Sequence, residues 1–180
     1  MTGSLFRSYV AGLDAMGLRA PVRAAVSARV QALMDTPPTH REWLGGNELA
    51  EIFRAVVGQR GIEGIRQLGY EATRLSTLQH LRPMIQATAA LHGNTPDVLF
   101  SHLDALCKPF FRGLRFEYAA EGPRTGTLTM RSTYPMGVVQ FAAWEGALRH
   151  IFEELKVKSG VLEPARVAPD GHSGTMRVRW

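Results

Sequence analysis

The only cysteine of the 180-residue chain, Cys107, stands in the segment HLDALCKPFFRG at residues 102–113. Leu103 precedes it by four residues and Phe100 by seven, a spacing that puts all three on one helical stripe. A thiol so placed can pack, attack an electrophile or ligate a metal centre. Attack and ligation both need the thiolate. Apolar surroundings raise a thiol's pKa, a helix C-terminus disfavours an anion, and the adjacent cation is Lys108 alone. Cys107 therefore reads as an inert residue beside a pocket, with thiolate ligation as the alternative.

Other residue types offer little chemistry. His40, His80, His92, His102, His150 and His172 are scattered, and none shares a zinc-ligand spacing with the cysteine or a carboxylate. On one continuous helix His102 lies about 140° around the axis from Cys107, too far to share a metal ion. There is no G-x-S-x-G elbow, phosphate-binding loop, dinucleotide glycine motif or H-E-x-x-H. Glu145 and Glu163 stand apart, with no visible partner for acid–base work. A non-enzymatic protein is expected.

The elements that must position Cys107 fall into two parts of one expected α+β domain spanning 1–180. Residues 1–110 read as mainly helical. A first helix has Ser4 as N-cap, Leu5, Tyr9 and Leu13 facing inward, and Gly17 as its stop. A second covers 20–35, with Val22, Val26, Val30 and Leu33 on its stripe. Helices follow from Asn47 to near Gly58, over 61–79, after Pro83, and over 94–107 with Thr95 as cap.

Residues 111–180 change period. Leu114, Phe116 and Tyr118 alternate against Arg115 and Glu117, and Leu128, Met130 and Ser132 against Thr129 and Arg131. A long helix over 135–158 carries the stripe Phe141, Trp144, Leu148, Ile151 and Leu155. Strands around VLEPARV and GTMRVRW complete a β-β-α-β-β antiparallel sheet unit.

The formal net charge is +5, without any run of basic residues. Arg115, Arg131, Arg177 and Arg179 share the polar sheet face, which reads as solvated. Nucleic acid is not expected, because the alternation turns Phe116 and Tyr118 inward, away from those arginines. No stretch approaches the ~20 apolar residues that span a bilayer, and a lone cysteine suits a reducing, cytoplasmic setting.

The order of elements over roughly 95–180, with two short motifs, resembles the heme-nitric-oxide-binding (H-NOX) fold and its heme-free 4-vinyl reductase-type relatives. In that family LD-x-L-H supplies the proximal histidine, and Y-x-S-x-R on the second strand binds the heme propionates. Here LDALC (103–107) and MRSTY (130–134) stand in those places. The N-terminal helices do not look like H-NOX; GIRQLGYEAT is closer to a myxobacterial family of unknown function.

The departures are specific. Cys107 replaces the histidine, Met130 the tyrosine and Tyr134 the arginine, and only Ser132 is retained. Losing the arginine removes the planar cation that suits a carboxylate. The resemblance implies a sensory module that encloses a small apolar ligand between helices and sheet and signals to a separate effector protein. The expected lining is Phe100, Leu103, Cys107, Leu128, Met130, Ser132, Tyr134 and Trp144, with Cys107, Met130, Ser132 and Tyr134 converging on one cavity. No heme is expected. The alternatives are heme ligated by Cys107 or a nearby histidine, and a protein–protein scaffold whose pocket its own side chains fill.

Overall fold

The structure, a computed structural model, describes residues 1–76 and 81–180. The expected helix end at 77–79 and His80 lie outside the described residues. The helices are α1 (Gly3–Ala15), α2 (Arg19–Ala25), α3 (Ala28–Asp35), α4 (Asn47–Ser76), α5 (Arg82–His92), α6 (Pro96–Ser101), α7 (Leu103–Cys107) and α8 (Val138–Glu154). The strands are β1 (Leu114–Gly122), β2 (Thr125–Ser132), β3 (Val161–Leu162), β4 (Arg166–Val167) and β5 (Ser173–Arg179). The sheet is antiparallel in the order β1-β2-β5-β3, and β4 also pairs with β5.

Several expected boundaries move, each for a local reason. Thr2, not Ser4, precedes the first helical residue; the Ser4 hydroxyl lies 3.0 Å from that of Thr2. The helix expected over 20–35 is two helices, because Val26 is extended and Ser27 caps a new start, accepting from Val30 N. Met34 is then fully buried where Leu33 was expected to be. Near residue 58 the two expected helices abut as one long α4, broken at Gly61, whose φ of 62° and ψ of −163° leave the helical region. The helix expected over 94–107 divides at His102 into α6 and α7. Pro164 interrupts VLEPARV, leaving two short strands in place of one.

Apolar burial is organised in two cores. The first gathers α1 to α4 around Phe6, Leu13, Met34, Ile52 and Leu68. The second lies between the sheet and α6, α7 and α8, around Phe100, Leu128, Met130, Phe141 and Leu148. Helix α8 serves both, with Ala142 and Ala143 in the first core and Phe141, Leu148 and Phe152 in the second.

That double burial rests on a close crossing of α4 and α8. A methyl group built on Gly146 would overlap the Arg66 carbonyl, and one on Gly69 would overlap the Ala143 carbonyl. The backbones touch because neither position has a side chain. Beside the crossing, the Arg66 guanidinium donates to Glu145 over 2.6 Å, and the other Glu145 oxygen accepts from Ala165 N over 2.7 Å. Glu145 thus has the partner that the sequence did not reveal, and it ties α4, α8 and the β3–β4 connection together.

Two stability tests follow. Gly146→Ala forces overpacking at the crossing and should cost roughly 1–3 kcal/mol or more by urea unfolding. Gly58→Ala in the same α4 meets open space and should gain up to about 1 kcal/mol. Equal effects at the two glycines would show that the crossing is not tight. Leu148→Ala, at a position only 1% exposed, should cost about 2–5 kcal/mol, and a loss under ~1 kcal/mol would contradict its central packing role.

Candidate functional site

Where the two cores meet, a cavity of about 80 Å³ remains, walled by α1, α4, α7 and α8 among others. Leu5 and Tyr9 close it from the helical side, and Leu103, Cys107, Leu148 and Ile151 from the other. A wider groove of about 600 Å³ lies beyond, lined in part by Trp43, Phe53, Tyr134 and Gln140. Tyr9, Phe111 and Trp144 line both spaces and form the partition between them. The Trp144 ring is held there by Phe111 and Phe116, at centroid distances of 4.8 and 5.0 Å.

Of the expected lining residues, Leu103, Cys107 and Trp144 reach the cavity. Phe100 is buried in the second core, 5.7 Å from the rings of both Tyr118 and Phe152. Leu128, Met130 and Ser132 do share one face of β2, as alternation requires. Helix α8, however, packs directly on that face. The Phe141 ring occupies the space above Gly174, the cross-strand neighbour of Met130, so Leu128 and Met130 are fully enclosed.

The Ser132 hydroxyl accepts from Tyr134 N over 3.2 Å, and the Ser132 carbonyl is 2.9 Å from His172 Nδ1. Tyr134 lies beyond the end of β2, where the two-residue period no longer applies, and is 43% exposed beside the groove. The expected convergence of Cys107, Met130, Ser132 and Tyr134 on one cavity is therefore not formed.

Asp104 fixes the position of Cys107 by accepting from Phe116 N and Arg115, each over 3.0 Å, which docks α7 on β1. Cys107 is itself part of the cavity lining. Burial first, and the Asp104 carboxylate second, push its pKa up to about 12. No arginine or lysine lines the cavity among the described residues.

Sequence reasoning missed His150. Its residue is only 5% exposed, it lines the cavity, and neither ring nitrogen has a hydrogen-bond partner among the described residues. Glu154 Oε1 is 3.4 Å from Nε2 and Glu153 Oε2 is 3.8 Å from Nδ1. Burial lowers its pKa, and the two carboxylates oppose that shift. One signal was present: His150 follows Gly146 by four residues and Ala143 by seven, on the small-residue face of α8.

The basic sheet face is neutralised by its own carboxylates. Arg131 pairs with Glu117, Arg177 with Glu121, Arg179 with Glu163 and Arg115 with Asp104. Among the described residues no group of three His, Cys, Asp or Glu side chains is placed to hold a metal ion. Among the described residues no helix is long and apolar enough to cross a membrane.

No protein-family model matches the sequence, and no curated protein is similar to it. Solved H-NOX structures are similar to it in fold. A doubly substituted Tt H-NOX superposes with a TM-score of 0.74 at 13% identity, covering 100% of this chain and 95% of that one. The oxygen complex of an oxygen-binding H-NOX domain related to soluble guanylate cyclases gives 0.71 at 13% identity, over 99% and 94%. An Fe(II) unliganded H-NOX protein from K. algicida gives 0.68 at 12% identity, over 99% and 96%. The chain has the H-NOX fold. The likeness spans the N-terminal helices as well, which the sequence reading had set apart.

The buried thiol gives a direct check. A pKa raised in the fold means that the neutral thiol is favoured there. Its contribution to stability is complete below the ordinary thiol range and is lost as pH rises toward about 12. At pH 8 iodoacetamide should modify Cys107 at least about tenfold more slowly in the folded than in the urea-unfolded chain. Comparable rates would place the thiol outside the cavity wall.

Proposed function

We propose that this chain is a non-enzymatic, heme-free ligand-binding module. It encloses a small apolar molecule between its helical and sheet halves and passes the event to a separate effector chain. The observation that carries this reading is the apolar cavity at the junction of the two cores, in a fold shared with oxygen-binding and heme-containing H-NOX proteins. A ligand there touches both cores at once, so binding can bias how they pack.

The residues do not suit heme. A porphyrin carries dozens of heavy atoms, far more than the cavity of about 80 Å³ can take, and the groove of about 600 Å³ is separated from Cys107 by Trp144 and Phe111. The only donor at the place of the proximal ligand is a thiol whose pKa lies far above neutrality. Tyr134 offers no cation to a propionate, and Ser132 is engaged by the backbone of Tyr134. Heme ligated by Cys107 would further require Trp144 and Phe111 to leave the partition that joins them to Tyr9. The same partition argues against a scaffold with a wholly filled pocket, because it leaves open space on both of its sides.

Protein expressed with ample heme should purify without a Soret band and should gain none when titrated with hemin. A stoichiometric Soret band that is abolished in Cys107→Ala would overturn the heme-free reading.

A further inference from the structure

Most of the cavity wall is apolar; its buried polar side chains include the hydroxyls of Tyr9 and Ser76, and His150, whose two ring nitrogens lack a hydrogen bond among the described residues. A buried polar group left unpaired is costly, so its retention on an otherwise apolar wall calls for a partner. Its neighbours supply a poor one. Glu154 Oε1 stands 3.4 Å from Nε2 without hydrogen-bond geometry, and that carboxylate is shared with Arg82. Glu153 already accepts from the Tyr70 hydroxyl.

We infer that His150 is the polar anchor of the cavity's ligand, and that the ligand is a neutral molecule of three or four heavy atoms, apolar except for one hydroxyl. The inference rests on the ligand-binding reading above and names the ligand's chemistry. Size comes from the volume. About 80 Å³ is near half of the ~150 Å³ apolar cavity that accommodates benzene.

The polar end follows from the surroundings of the ring. A neutral imidazole presents one donor and one acceptor, and a hydroxyl can answer either. Carboxylates stand 3.4 and 3.8 Å from the two nitrogens. That disfavours a carboxylate ligand and gives a donor the advantage over a carbonyl, even with Glu154 shared with Arg82. So small a molecule binds no tighter than tens of micromolar, given the ceiling on affinity per heavy atom.

The test compares 2-propanol with acetone, which match in heavy-atom count and shape but differ in the hydrogen-bond donor. Methyl signals of Leu103, Leu148 and Ile151 and the ring nitrogens of His150 are followed by NMR during each titration. In the native protein 2-propanol should bind about fivefold more tightly than acetone and shift the His150 ring nitrogens. In His150→Leu the two should bind equally, while His150→Gln, which keeps a donor and an acceptor, should retain part of the preference. Equal binding in the native protein, or a preference that survives His150→Leu, overturns the inference and leaves the cavity as a ligand site. If neither probe moves the methyl signals, the ligand-binding reading falls and the inference with it.

Discussion

Two glycines set the distance between the halves of this molecule. At Gly69 and Gly146 the backbones of α4 and α8 meet with no side chain between them, and interiors as dense as organic crystals tolerate no substitute there. The register of that contact fixes which residues of α8 face each core. It also seats Glu145 against Arg66 and Ala165 N. A buried ion pair of this kind is weak evidence for stability but specific about geometry, since breaking it strands a charge.

The site is a consequence of that crossing. Close to it the helices touch, and farther along α8 the long side chains of the two cores do not quite meet. The space left is divided by Tyr9, Phe111 and Trp144 into a small apolar cavity and a wider groove. Cys107 reaches the cavity because α7 is held on β1 through Asp104. His150 reaches it because it shares a face of α8 with Gly146. The solved H-NOX structures share this architecture over nearly the whole chain, at 12–13% identity for those compared. The architecture is therefore set by packing that sequence identity does not report.

Much of this was legible in the residues, and the exceptions have physical causes. The stripe from Phe141 to Leu155 and the alternation of β1 and β2 follow directly from helical and strand periods, and both are found. The crossing was not legible, because a lone glycine in a helix reads as punctuation until its partner backbone is known. Reading α8 as one-sided hid the burial of Glu145 and His150 on its second face. Tyr134 was carried two residues past Ser132 by a period that ends with the strand. Met130 was placed correctly on its face, but alternation cannot say whether a cavity or a phenyl ring lies opposite.

The central claim is that packing around the α4–α8 crossing leaves an apolar space able to take a small molecule. A crystal structure under xenon pressure tests it most directly, because xenon enters dry apolar cavities without needing a polar contact. The account predicts one ordered xenon atom bounded by Leu103, Leu148 and Ile151, with Trp144 unmoved. Absence of xenon there, with Trp144 or Phe111 turned inward to fill the space, would contradict it.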